Sequence, residues 1–325
     1  MTSPNNLRAA GFMVAATVFI AATTVIAKAL GTDTLGPALL PFQVTFGRYL
    51  FGALAIFVAA SILRPRIQVR YAHLHLVRIL LGWGGVTLMF ASVAMIPVAE
   101  ATAITFLNPV IAMILAIPLL GEKVGPIRWS AAVVALLGAA LLLRPGEGVI
   151  APGALLAVGA ACLLGGEVLT IKRLTRHEPM LATLVWANAL GLLIAGVTAL
   201  PGWQPPTGSQ WMGMAALGFA MAAAQGCFVN ALARADTSFV TPFSYLTLVF
   251  AGIYDAVLFG VIPDTVGWIG AGLILCGASL LAWREGRLRQ SPTGPGADVV
   301  DPSRLQPVTG LEHPPRDRPH GQRRP

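Results

Sequence analysis

The feature that most constrains this chain is a succession of apolar stretches, each about 20 residues long and nearly free of charge, joined by short polar connections. A helix of about 20 apolar residues covers the roughly 30 Å hydrocarbon core of a bilayer. It also satisfies its own backbone hydrogen bonds where water is absent. The chain therefore reads as an all-α integral membrane protein. Composition agrees, because 56% of the 325 residues are hydrophobic and 11% charged, whereas a soluble domain carries about 25% charged residues.

The pattern predicts spans over 10–30, 41–62, 76–96, 98–119, 127–143, 153–171, 180–200, 211–233, 239–262 and 265–283, ten transmembrane helices in all. The first run is long and resembles those after it, so it reads as a span and not as a cleavable signal. Cys162, Cys227 and Cys276 fall inside apolar runs without metal-ligand spacing and read as small core residues.

Positive charge tests the count. Lysine and arginine accumulate in short cytoplasmic loops. With ten spans, Arg8, the Arg64–Arg66–Arg70 cluster, Lys123 with Arg128, Lys172 with Arg173 and Arg176, Arg234, and the Arg284–Arg287–Arg289 cluster share one side. The opposite connections, around Thr32 to Leu40, Pro97, Pro201 to Gln210 and Pro263 to Asp264, hold no lysine or arginine, and Arg144 is the exception. Both termini are then expected in the cytoplasm and the chain in the inner (plasma) membrane. The net charge of +8 is accounted for by these loops and the tail, so membrane lipid is expected as a neighbour and nucleic acid is not.

Five spans end near Leu143 and five begin near Gly153, divided by a proline- and glycine-rich segment. An odd number per half inverts the second half, the arrangement in which cargo sites lie at the repeat interface. The expected organisation is a cytoplasmic N-terminus at 1–9, five-helix repeats at 10–143 and 153–283 with inverted topology, and a disordered cytoplasmic tail at 284–325. The sequence carries no signal for an oligomeric state.

Several short motifs sit on this frame. Ala99-Glu100-Ala101-Thr102-Ala103 is followed by Pro109, by Leu120-Gly121-Glu122-Lys123 and by Leu143-Arg144-Pro145-Gly146. The second half has Thr241-Pro242-Phe243-Ser244-Tyr245 and a Phe259-Gly260 ending. Through these pieces the chain resembles the EamA-like ten-helix branch of the drug/metabolite transporter superfamily over roughly residues 10 to 285. The arginine-proline-glycine ending and the Pro242 to Tyr245 segment look most like riboflavin, S-adenosylmethionine and metallophore transporter relatives. Val261 stands where the family continues Gly-Glu, which removes an acidic residue from that helix end. The resemblance implies secondary transport of a small organic molecule, more often outward, of the amino-acid-like or metallophore class. Import of riboflavin or S-adenosylmethionine is the alternative it leaves open.

Ionisable side chains inside a bilayer need a partner, a wet cavity or an escape to the interface. Counting along the helices places Lys28, Arg48, Glu100 and Asp255 in the outer half and Glu167 near the inner end of the sixth helix. They are candidates for cargo binding or proton coupling. The plainer readings are that Lys28 and Glu100 snorkel, Arg48 pairs with Asp255, and Glu167 pairs with a basic neighbour such as Lys172. Gln43, Trp83, Asn108, Trp186, Asn188, Gln225, Asn230, Tyr245 and Tyr254 complete the candidate pocket, or else hydrogen-bond helices together. Trp129, Trp203, Trp211, Trp268 and Trp283 fit an interfacial belt. Pro109, Pro118 and Pro242 are candidate breaks in the fourth and ninth spans.

No phosphate-binding loop, zinc-helix motif or nucleophile elbow occurs, and all five histidines are expected in loops or the tail. No cofactor, metal site or catalytic residue is expected. An intramembrane enzyme built on two carboxylates and a non-transporting scaffold remain as competing classes.

Overall fold

The computed structural model describes residues 4–64, 71–120, 125–143, 151–174, 178–232, 234 and 241–290. The tail from 291, the Gly121-Glu122-Lys123 and Arg144-Pro145-Gly146 motifs and most of the 144–153 divider lie outside the described residues. The chain divides into two units, 1–287 and 288–325, and the second contributes only the end of the last helix to the described residues.

Every long element among the described residues is an α-helix. They are α1 (Pro4–Gly31), α2 (Pro41–Leu63), α3 (Ala72–Val93), α4 (Val98–Thr105), α5 (Asn108–Leu120) and α6 (Pro126–Leu143). After these come α7 (Pro152–Leu174), α8 (Met180–Ala199), α9 (Gly208–Leu232), α10 (Leu246–Phe259) and α11 (Thr265–Gln290). Short 3-10 turns occupy Leu200–Gly202 and Thr241–Tyr245. Seven segments are long and apolar enough to cross a membrane, with α4 and α5 counted as one, and three shorter apolar helices lie within α6, the Phe243–Phe259 region and α11. The protein is a multi-pass membrane protein.

Local chemistry sets the helix ends. Proline, whose fixed φ suits the first helical position, opens α2, α6 and α7. A left-handed residue closes α2 at Arg64 (φ 45°) and α10 at Gly260 (φ 66°). The fourth predicted span is broken, not continuous. Asn108-Pro109 ends regular α-helix because the ring removes an N–H and disfavours helical backbone before it. The chain turns through Phe106 and Leu107 on short i→i+3 bonds before α5 resumes. In the second half the Thr241–Tyr245 turn, which contains Pro242, leads into α10 in the same way. Pro118 lies within α5.

α1 lies inside the bundle, packed on α9, α10, α3 and α2, while α3 packs along α7. α6 and α11 approach backbone to backbone. A Cβ on Gly138 would come 2.6 Å from the Gly270 carbonyl, and one on Gly277 would come 2.5 Å from the Ala131 carbonyl. Small residues permit such contact where hydrophobic exclusion supplies no drive. The bundle's outer faces are apolar, as Leu54, Val58 and Ile62 on one face of α2 show (53%, 53% and 74% exposed), a stripe suited to lipid and not to water. Cys162 and Cys276 are also exposed, which corrects their expected core placement, and Cys227 is half-buried.

Candidate functional site

The charged residues fall into two groups with different hydrogen bonding. The first lies where α1 ends. Asp255 on α10 is fully buried, and its Oδ1 is 2.6 Å from Lys28 Nζ. Its Oδ2 accepts the Val98 N–H at 2.7 Å, at the first residue of α4. A carboxylate there satisfies an orphan helix donor and complements the helix dipole. The Lys28 ammonium also stands 4.5 Å above the Phe259 ring. The expected pairing of Arg48 with Asp255 is therefore corrected, as is a snorkelling Lys28. The ammonium is turned inward because a buried carboxylate is within its reach.

Around this ion pair the loops are bound together. Gln43 donates to the Gln204 carbonyl and accepts the Gln204 N–H. Gln210 donates to the Pro37 carbonyl at 2.6 Å and accepts the Thr207 N–H. Thr207 and Ser209 both donate to the Leu35 carbonyl. Gln43 thus spends both polar atoms on a latch and does not line a pocket. Glu100 lies in the first turn of α4, its carboxylate beside Gly267 at the start of α11.

The second group lies on α2, α3 and α7. The Arg48 guanidinium stacks 4.6 Å from the Tyr49 ring centroid. Arg48 is 8% exposed, yet its Nε has no hydrogen-bond partner. Arg78, also 8% exposed, holds its Nε 3.6 Å from Glu167 Oε1, a distance for ion pairing and not for a hydrogen bond. Its Nη1 donates to the Thr183 carbonyl at 2.9 Å. Glu167 rests on the bare backbone of Gly82, where a Cβ would lie 2.8 Å from its carboxylate. Arg48, Tyr49, Arg78 and Glu167 lie within electrostatic reach of one another. Glu167 therefore pairs across to α3; the Lys172 side chain lies outside the described residues.

Next to Gly82, Trp83 is stacked on Phe42 and keeps its indole N–H buried without a partner. Further along α3, His75 Nε2 meets Glu178 Oε2 at 2.8 Å, both side chains 2% exposed, and the Trp186 ring lies 5.7 Å from the imidazole. His75 Nδ1 and Glu178 Oε1 lack partners. His73 and His75 stand on α3, not in a loop, because that helix starts earlier than the apolar run. His177, His313 and His320 lie outside the described residues.

The remaining candidates are dispersed. Asn188 donates to Leu184, and its Oδ1 faces Gly52. Asn230 donates to Gly226 and accepts from Arg234. Gln225 keeps a buried, unpartnered Oε1. Asn108 opens α5, with its carbonyl against Gly165. Tyr254 packs in the apolar cluster between α1 and α10. Tyr245 meets Phe106 edge-on at 5.6 Å, so the two helix breaks touch. No His, Cys, Asp and Glu group suited to a metal occurs among the described residues.

Arg78 and Glu178 are absent from the sequence-based candidates. The signal available for Arg78 was an arginine at helical spacing below Gly82, on a helix that begins at Ala72.

A family model for the EamA-like transporter family matches residues 7–144 and again 151–283. A riboflavin transporter of Rhizobium johnstonii is 34% identical over 70% of this chain and 75% of its own length. A riboflavin transporter of Brucella anthropi is 29% identical over 84% of this chain and 97% of its own. An S-adenosylmethionine uptake transporter of Rickettsia prowazekii is 24% identical over 77% of this chain and 86% of its own. One protein of known crystal structure shares the fold with a TM-score of 0.56 at 23% identity, over 85% of this chain and 99% of that one.

Proposed function

The chain belongs to the EamA-like transporter family, and from that premise we propose that it is a secondary transporter of a small polar or zwitterionic organic metabolite across the inner membrane. It is a transporter and not an enzyme. The observation that carries the cargo class is the Arg48, Arg78 and Glu167 cluster, where both signs of charge are held inside an apolar bundle with donor capacity unspent. Charges kept there at a cost of a few kcal/mol or more mark a cargo or ion path.

Alternating access of two inverted five-helix repeats is the motion we assign to it. Three features support this. The family model matches twice. The pairs α1 with α9 and α3 with α7 exchange when α1 is matched to α7 and α3 to α9. The broken segments of the two halves meet at Phe106 and Tyr245. Both termini are assigned to the cytoplasm by the arginine and lysine distribution.

The direction we propose is inward, against the outward expectation from the wider family, because relatives named for S-adenosylmethionine uptake share most of this chain's length. A second cargo, riboflavin, is favoured by the 34% identical relative. Sealed vesicles of both orientations, given radiolabelled S-adenosylmethionine or riboflavin on the outside with and without a pH gradient, test the reading. Accumulation of either compound supports it, and absence of flux under every gradient sinks it. If Asp255 carries the driving proton, Asp255→Asn abolishes gradient-driven flux and spares counterflow; loss of both assigns Asp255 to structure.

A further inference from the structure

Arg48, Arg78 and Glu167 have a pattern of satisfied and unsatisfied groups that a purely structural ion network does not need. Removing a buried charge from water is repaid only when its remaining donors and acceptors are also paired. Here the Nε of Arg48 and the Nε of Arg78 are buried and unpartnered. The one carboxylate nearby stands at 3.6 Å from Arg78, too long to satisfy it. Two guanidinium groups thus share one anion, and planar guanidinium is suited to paired bonds with a carboxylate. Glu167, supported by the bare backbone of Gly82, keeps acceptor capacity for a second cation. One turn away along α3, His75 and Glu178 are already committed to each other at 2.8 Å and supply no counter-charge to this group.

We propose that this cluster is an amino-acid head-group site, in which Arg48 and Arg78 take the α-carboxylate of the cargo and Glu167 takes its α-ammonium. The site rests on the carrier reading above and narrows it to cargo bearing an amino-acid end. In the cargo-free protein the Arg78–Glu167 contact is a placeholder. Cargo inserts between the two, and each charge then has an opposite partner. Tyr49, stacked on Arg48, fixes the guanidinium plane for that contact. A monocarboxylate would use the arginines alone and leave Glu167 where it is.

The test uses the full chain in nanodiscs and measures binding of S-adenosylmethionine, its decarboxylated analogue and its 2-oxo analogue, which lacks the ammonium. In the wild type each deletion weakens binding tenfold or more. In Arg48→Gln and Arg78→Gln the carboxylate no longer matters, so S-adenosylmethionine and the decarboxylated analogue bind alike. In Glu167→Gln the ammonium no longer matters. Arg78→Lys, which keeps the charge and loses the fork, falls between wild type and Arg78→Gln. Losses from protein and ligand changes that add instead of cancelling overturn the site, as does a wild type that binds none of the three. Uptake of riboflavin without binding of S-adenosylmethionine overturns the head-group site and leaves the carrier reading intact. Cancelling losses without flux in vesicles do the reverse.

Discussion

Lys28, Asp255, Gln43 and Gln210, at the end of the bundle where α1 finishes, leave no buried polar side-chain atom without a partner. On α2 and α3, Arg48, Arg78, Trp83 and His75 each keep one buried atom unpaired. The two regions are built from similar residue types in the same apolar surroundings, so composition does not separate them. What separates them is whether hydrogen-bonding capacity is consumed by the protein itself. The first is a seal, in which the charges hold three helices together. The second retains unspent capacity, which on the function proposed above an incoming polar molecule uses. Substitutions should therefore damage stability in the first region and transport in the second.

The largest effect is expected from Asp255→Ala, which strands Lys28 and frees the α4 N-terminus. Breaking a buried ion pair by removing one partner costs about 3–5 kcal/mol, read as a fall in the thermal midpoint in detergent. The double replacement Lys28→Met with Asp255→Leu should recover most of that loss. A stable Asp255→Ala protein would break the comparison. Next comes Gly277→Leu, which drives a side chain into the Ala131 to Ala135 backbone of α6. Overpacking costs about 1–3 kcal/mol, and reduced yield of folded protein is the readout. Gln43→Leu removes the paired bonds to Gln204 and should cost about 1–2 kcal/mol, the penalty for leaving backbone groups unsatisfied. It should also raise the reactivity of a cysteine placed at Leu39 toward a membrane-impermeant thiol reagent.

Smallest in stability is Arg48→Met. Replacing a poorly paired buried charge by an apolar side chain is often neutral or stabilising. The midpoint should move by no more than about 1 kcal/mol equivalent while cargo flux is lost. A large destabilisation with normal flux would assign Arg48 to packing and not to cargo binding.

Much of the architecture was legible in the sequence, because span length and hydropathy follow directly from bilayer thickness. The break ahead of Pro109 followed from proline chemistry. The pairing of charges was harder. Residue count along a helix gives depth, at 1.5 Å per residue, but not position around the bundle. Asp255 and Arg48 were therefore matched by depth, whereas the bundle brings Lys28, 227 residues away in sequence, to Asp255. His75 escaped for a different reason: α3 begins at Ala72, before the apolar run, so a polar first turn that reads as loop is helix with a buried imidazole. Arg78 lies inside the span expected over 76–96, and what depth along that span does not give is its direction around the bundle, toward Glu167 on α7. Gln43 was legible as an intramembrane polar residue but not as a latch, since its partner is a backbone segment 161 residues away.

The measurement that tests the contrast most directly is the thermal stabilisation produced by saturating S-adenosylmethionine or riboflavin, compared between Arg48→Met and Gln43→Leu. Whichever compound stabilises the wild type is expected to stabilise Gln43→Leu by a similar shift and to have no effect on Arg48→Met. An unchanged shift in Arg48→Met, or a shift lost in Gln43→Leu alone, would contradict that contrast.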